Sequence, residues 1–458
     1  MESLTDKLRR EFDSGTVVTG GDIGARYCSD WSKSPSHHPS VLLRPTTTEQ
    51  VARMLSLCHA SGQPVVTQGG MTGLAGAATP EEGEMALSLE RMSGIEELDE
   101  DSMTMTVLAG TPLETAQKAA QDAGLYLPLD LGARGSCSIG GNVATNAGGN
   151  QVIRYGMTRN LVLGLEAVLA DGRIIRSMSK VIKNNSGYDL KQLFIGSEGT
   201  LGVVTRVILR LQPHLPRTHN ALCALADFKK AVGFFKYVQG NLPGGASAFE
   251  LMWANYYDYI IQEVEHLRNP FTQQHAVYVL LQYQSADKTM LTDLFEQLLF
   301  DALQQDLLVD VLVAQSEREA ELFWQIRDGI GDVIPQLGPV AFFDISVPIN
   351  VMATFVSETE QEIEEACPGA QLLLFGHIGD GNLHLAVRLE DAAQEQPVYD
   401  MVHRKVGLYA GAISAEHGIG KTRKKYLQLS RTEEEIALMK QLKAALDPQQ
   451  ILNRGRIF

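Results

Sequence analysis

Between residues 41 and 68 the apolar positions change period twice. Val41, Leu42 and Leu43 form a short continuous run before Arg44-Pro45, which reads as extended chain. Val51, Met54, Leu55 and Cys58 then recur at helical spacing behind Thr47 and Gln50, the S/T-x-x-E/Q pattern of a capping box. Residues 63–67 (Gln-Pro-Val-Val-Thr) return to a strand pattern and run straight into Gly69-Gly70-Met71-Thr72-Gly73-Leu74-Ala75-Gly76. A second helix is predicted from Thr111 as N-cap, with Pro112 at N1 and Glu114 at N3; it carries Leu113, Ala116 and Ala120 and stops at Gly124. Two strands over 161–176 turn at Asp171-Gly172, and another strand-rich run covers 201–211.

Pro213 and Pro216 mark 212–220 as a linker, after which the texture changes. Helical patterns at 227–239, 287–305, 316–334 and 350–366 are separated by short strands at 275–284, 308–315, 340–347 and 371–376. The last helix ends at Asp447-Pro448, and no internal repeat of fixed period is present. The fold class expected is α+β, divided into an N-terminal segment 1–40, a first domain 41–215, a second domain 216–425 and a tail 426–458 that returns to the first.

The length of 458 residues agrees with that division, since a domain averages about 150 residues. With 44% hydrophobic and 21% charged residues the chain is an ordinary globular one. Its 39 basic against 55 acidic residues give −16, which argues against nucleic-acid or anionic-membrane partners. No run of roughly 18 apolar residues predicts a membrane span. Residues 1–7 hold no apolar stretch of secretory type, and the five scattered cysteines contain no C-x-x-C pair, so a cytoplasmic location is expected. Glycine changes the picture: its 42 residues cluster at 69–76, 132–149, 196–202, 376–381 and 418–420. Turns account for some glycines, but five dense clusters favour backbone that must approach a ligand.

Three of these clusters lie in the first half. The strand-to-loop 65–76 lacks the P-loop ending, yet it offers successive N–H groups without bulky side chains, as a pyrophosphate requires. Residues 140–149 (Gly-Gly-Asn-Val-Ala-Thr-Asn-Ala-Gly-Gly) allow close approach by a planar ligand, and 196–202 (Gly-Ser-Glu-Gly-Thr-Leu-Gly) is a third such element. In the second half, His377 and His384 flank Gly379-Asp380-Gly381-Asn382. If 379–382 is a four-residue hairpin loop, the two histidines face each other directly and can share a divalent ion; the alternative is two solvated histidines beside a turn. Glu416-His417 followed by Gly418 and Gly420 could add a carboxylate ligand and a base, though such a dipeptide is often merely structural.

The three loops together resemble the FAD-binding domain of the vanillyl-alcohol oxidase (PCMH) type over about residues 40–215. That resemblance implies a pyrophosphate held by Gly69, Gly70, Met71, Thr72, Gly73, Leu74 and Gly76. It implies Pro128, Gly132, Ser136, Gly140, Gly141, Asn142, Thr145 and Ala147 along the isoalloxazine and ribityl side, and Glu198, Gly199, Leu201 and Val203 near the adenine. Residues 60–80 contain no histidine for covalent attachment, so the FAD is expected to be non-covalent, with Cys137 a small buried thiol. With H-x-G-D-G-N-x-H and Glu416-His417 added, nearly the whole chain resembles the FAD-linked D-2-hydroxy-acid dehydrogenases. These oxidise D-lactate, D-2-hydroxyglutarate or glycolate.

On that resemblance His377, His384 and Glu416 hold Zn²⁺ or Mn²⁺, His417 is the base, and Arg327 grips the substrate carboxylate. Asn382, Phe342 and Trp324 border the substrate, and Asn453 returns to the flavin. The chain departs from the 2-hydroxyglutarate-oxidising pattern at Phe342-Phe343-Asp344 (Lys-Tyr-Asp there), at Ala386 (Asn) and at Gly331 (Thr). Those departures favour a D-lactate-like or apolar-tailed D-2-hydroxy acid, with D-2-hydroxyglutarate as the alternative. The electron acceptor implied is a quinone or an electron-transfer flavoprotein; a homodimer and peripheral membrane association are left open. A metal-dependent hydrolase without flavin, or a non-catalytic flavoprotein subunit, are the rival classes.

Overall fold

A computed structural model describes residues 2–32, 34–286 and 288–458. The chain forms two compact units, each discontinuous in sequence. The first takes the chain up to Gly149, then Gly156–His214 and Glu416–Phe458; the second takes Asn150–Tyr155 and Leu215–Ala415. The return to the first unit thus begins at Glu416, earlier than the boundary at 426 read from the sequence, and a short piece at 150–155 crosses to the second unit.

The first unit contains a four-stranded sheet in the order Val17–Thr19, Val41–Leu43, Met85–Ser88, Val65–Gln68, whose last three strands run parallel. It also contains a five-stranded antiparallel sheet in the order Ile95–Asp99, Thr104–Leu108, Val203–Arg210, Val162–Val168, Ile174–Ser177. The helix Thr48–Ala60 forms where the periodicity places it. Thr47 accepts from the Gln50 N–H, and Val51, Met54, Leu55 and Cys58 are buried in the core that the five-stranded sheet shares. The second helix starts later than expected. Its N-cap is Pro112, and Thr111 instead donates its hydroxyl to the Gly94 and Leu108 carbonyls, so the helix is Leu113–Asp122.

The supposed linker 212–220 is structured. Gln212–Pro213 pairs with Leu125–Tyr126, and Arg217 already begins a nine-residue strand to Leu225. That strand belongs to the second unit's seven-stranded antiparallel sheet: Asp310–Val313, Arg217–Leu225, Val277–Ser285, Ala248–Trp253, Gln371–His377, Asn382–Arg388, Val340–Ser346. Strand side chains alternate between faces, and both faces here are apolar and covered. One carries Ala221, Cys223, Val279, Leu281, Phe249 and Leu251 against helices Phe228–Asn241 and Thr289–Gln304. The other carries Leu222, Ala224, Tyr278, Leu280, Met252, Phe375, Leu373 and Ala386 against helices Ala254–Glu263 and Glu317–Asp328.

Candidate active site

The second of these faces turns polar at one end. Cross-strand register sets Glu250 opposite His377, His377 opposite Asn382, Phe375 opposite His384, and Asp344 opposite His384. The hairpin loop is therefore 378–381, one residue earlier at each end than expected, and the two histidines are diagonal neighbours rather than direct partners. The register is offset by an even number of positions, so both rings still emerge on the same face. Their centroids are 5.2 Å apart and their Nε2 atoms 3.3 Å apart.

Glu250 was not singled out from the sequence, and it organises this end of the sheet. It is fully buried in an otherwise apolar strand, Ala248–Trp253. Its Oε1 bonds His377 Nδ1 at 2.8 Å, while its Oε2 accepts from Arg327 Nε and lies 2.7 Å from Arg327 Nη2 as well. Burial pushes the Glu250 carboxyl up, but Arg327 and His377 more than offset it and hold the group below the usual carboxylate range. Arg327 comes from the last turn of the helix Glu317–Asp328, where Phe323, Ile326 and Arg327 form the buried stripe. Tyr256 donates its hydroxyl to the Arg327 carbonyl at 2.5 Å, and Phe375 lies beneath the guanidinium at 5.4 Å. The Nε/Nη2 edge of Arg327 is thus committed to Glu250, while Nη1 meets the exposed Asp328 at 2.9 Å.

A cation fits between the histidines on two observations. A hydrogen on His377 Nδ1 satisfies Glu250, and Arg327 Nη2, which can only donate, sits 3.2 Å from His377 Nε2; the lone pair is therefore on Nε2. Zn–N bonds of about 2.0–2.1 Å at a tetrahedral angle separate two nitrogens by about 3.3–3.4 Å, the separation seen here. Glu416 directly follows Ala415, whose N–H is bonded to the Asp344 carbonyl.

The remaining second-unit positions have mixed surroundings. Asn382 donates its amide to Asp344 Oδ1 and the Ile345 carbonyl, both at 2.9 Å, and its buried Oδ1 has no partner among the described residues. Trp324 donates its indole N–H to Asn220 at 3.2 Å and packs on the apolar core. Phe342 shares a face with Asp344 and lies opposite Ala386, which is wholly enclosed. Phe342 and Ala386 are thus the apolar positions next to His384 on this face, and Arg388 follows them. Gly331 has open space around it.

In the first unit, Gly69, Gly70, Met71, Thr72 and Ser136 line a cavity of 540 Å³, together with Ser138, Gly110, Pro112 and residues the sequence reading passed over: Arg26, Ser29, Trp31, Glu90 and Ser93. The size suits a cofactor-class ligand, and neither His nor Cys lines it among the described residues. The glycines are required by close packing of loop on loop. A Cβ on Gly70 would fall 2.1 Å from the Ser136 carbonyl, and one on Gly69 2.5 Å from Ser138 Oγ. Gly140 meets Ala109 in the same way inside the short helix Ile139–Thr145, where Thr145 donates back to the Gly141 carbonyl. Asn142 is buried with its amide 3.5 Å from the sulfur of Cys137, itself buried. Pro128 is buried, Gly132 is exposed and Ala147 partly so. Val203 lies in the core and Leu201 packs on it.

Two residues assigned to the flavin have their polar groups occupied by protein. Asn453 accepts from the Thr67 N–H at 2.8 Å and donates to the Glu198 carbonyl at 2.6 Å. Glu198 accepts from the Ile419 and Gly420 N–H groups, both at 2.8 Å. Gly199 abuts Thr67 and Asn453, Gly76 abuts Ser34 and Lys421, Gly73 lies near Asp30, and Leu74 is exposed. Arg423 Nη2 lies 3.4 Å from His417 Nδ1.

Two family models match the chain, an FAD binding domain over residues 39–177 and the C-terminal domain of FAD linked oxidases over 215–457. The chain is 37% identical over 440 residues to a D-2-hydroxyglutarate dehydrogenase of Xanthomonas citri pv. viticola, covering 94% of this chain and 92% of the relative. It is 38% identical over 446 residues to the mitochondrial D-2-hydroxyglutarate dehydrogenase of Rattus norvegicus, covering 96% and 82%. A mitochondrial protein of Schizosaccharomyces pombe with a provisional D-lactate dehydrogenase name is 36% identical over 461 residues, covering 98% and 86%. Among solved structures, p-cresol methylhydroxylase with substrate bound superposes with a TM-score of 0.78 at 16% identity, covering 99% and 96%. The 4-ethylphenol oxidase of Gulosibacter chungangensis gives 0.75 at 17%, covering 99% and 97%. At such identities the structures show the fold, which is of the PCMH type.

Proposed function

The chain belongs to the FAD-linked oxidase family, and within it we propose a metal-assisted oxidation of an apolar-tailed D-2-hydroxy acid. The protein is an FAD-dependent oxidoreductase acting on a CH–OH group, and its substrates are of the D-2-hydroxy-acid class. The observation that carries the metal is the Nε2–Nε2 separation of 3.3 Å, with Glu250 bonded to His377 Nδ1. Bound FAD would accept the C2 hydride, and the first-unit cavity lined by Gly69–Thr72 is where this chain would hold it, non-covalently.

The protein's own groups bind and orient the acid. Arg327 would grip the α-carboxylate through its remaining Nη1 hydrogen, since Nε and Nη2 are engaged by Glu250 and His377 and Nη1 also meets Asp328. His377, His384 and Glu416 would hold a Zn²⁺ or Mn²⁺ ion, whose charge favours the ionised form of a nearby hydroxyl. His417 would take the proton of that hydroxyl as the C2 hydride leaves. The product is a 2-keto acid.

The apolar tail is inferred from Phe342 and Ala386, the apolar pair that follows His384 on this face. A second carboxylate there would be buried unpaired, at a cost of several kcal/mol. The relatives' names favour D-2-hydroxyglutarate as the second reading. Steady-state kinetics with one artificial acceptor separates the two. Two to three kcal/mol predicts kcat/KM about 30- to 150-fold higher for D-lactate or a longer apolar-tailed acid than for D-2-hydroxyglutarate. A preference for D-2-hydroxyglutarate would overturn the reading of this face.

A further inference from the structure

Glu198 belongs to the third glycine-rich loop, and it is buried with a backbone φ of 51°, in the left-handed region. A glutamate held in that conformation has a reason to be there. Its carboxylate is directed at the backbone that follows Glu416-His417. Oε1 accepts from the Ile419 N–H and Oε2 from the Gly420 N–H. The two amides meet different oxygens, so a carboxamide would turn an NH₂ donor toward one of them. Gly418, at φ +80°, allows the approach, since a Cβ there would fall 2.9 Å from Oε1.

The same segment is fixed on its other side. The Ala75 carbonyl, near the end of the first glycine loop, accepts from the Lys421 and Thr422 N–H groups at 2.8 and 3.2 Å. Asn453 closes the circuit by joining the Glu198 carbonyl to Thr67, in the strand that enters that loop. Thr67, Glu198, residues 419–422 and Ala75 therefore form one continuous hydrogen-bonded ring around the first glycine loop.

We infer that Glu198 is a positioning residue: its carboxylate holds the backbone of 418–420 so that Glu416 and His417 are presented in one orientation. The inference rests on the functional reading above for what Glu416 and His417 do, but the clamp itself is independent of it. Through the ring, the loops assigned to the flavin and the segment bearing the ligand and the base behave as one body.

The test uses full-length, flavin-loaded Glu198→Gln and Glu198→Ala. FAD content and flavin absorbance are expected to match the parent protein. Exchange of the 419 and 420 amides should accelerate at least about 10-fold, and affinity for added Zn²⁺ or Mn²⁺ should fall about 10- to 100-fold, the usual effect of removing a group that orients a ligand. Glu198→Gln, with one acceptor left, should fall midway. If Glu198→Ala does not fold, Glu198→Gln decides alone. Unchanged exchange at 419–420, or loss of FAD before any change in exchange, would overturn the inference and return Glu198 to the flavin. If the parent protein binds neither metal, the functional reading fails while the exchange measurement still judges the clamp.

Discussion

Removing the Glu250 carboxylate should unsettle the histidine and the arginine together. In Glu250→Ala the guanidinium of Arg327, buried to 9% exposure, keeps Asp328 as its one ion-pair partner among the described residues, and that residue is exposed. His377 loses the acceptor that fixes its Nδ1 hydrogen. Breaking one member of a buried ion pair costs about 3–5 kcal/mol. Loss of the carboxylate behind a metal-binding histidine lowers affinity about 10- to 100-fold, or about 1.4–2.7 kcal/mol. Glu250→Gln keeps the shape but accepts on one oxygen only, so His377 and Arg327 compete for it; the loss of one charged hydrogen bond is about 1.5–3 kcal/mol. Denaturant unfolding reads the first quantity and metal titration the second.

The pH dependence has a definite sign. The folded Glu250 carboxyl lies below its ordinary value, so its contribution is present above the unfolded pKa and is lost as pH falls through the folded one. The acid limb of the parent's stability curve should therefore flatten in Glu250→Gln. A Glu250→Ala protein with parental stability and parental metal affinity would refute the reasoning.

Two further predictions follow from the same geometry. Acid precipitation should leave FAD in the supernatant, since neither His nor Cys lines the first-unit cavity among the described residues; flavin in the pellet would contradict this. His384→Ala should reproduce the effect of chelation, abolishing turnover while flavin absorbance stays near parental; full turnover in metal-free protein would contradict it.

Local patterns carried much of this fold into view. Thr47 and Val51, Met54, Leu55 and Cys58 announce their helix because capping and 3.6-residue periodicity are short-range. His377 and His384 share a face because parity survives an even register offset. Glu250 was invisible for the opposite reason: it meets His377 across strands 127 residues apart in sequence, and a single acid in an apolar strand has no local signature. Asp344 reaches His384 in the same non-local way, through strand pairing. The glycine clusters were recognised as close-approach sites, yet at Gly70, Gly140 and Gly199 the body approached is another loop of the protein, which composition cannot distinguish from a ligand. Thr111 shows the converse, a sound capping pattern overridden by nearer carbonyl partners.

Anaerobic mixing of the flavin-loaded protein with a D-2-hydroxy acid tests the central claim most directly, with flavin absorbance followed before and after removal of divalent metal. The account predicts rapid bleaching and formation of the 2-keto acid in the metal-loaded protein, loss of bleaching after chelation, and its return with Zn²⁺ or Mn²⁺. Bleaching that is equally fast without metal, or no bleaching by any D-2-hydroxy acid in the metal-loaded protein, would contradict it.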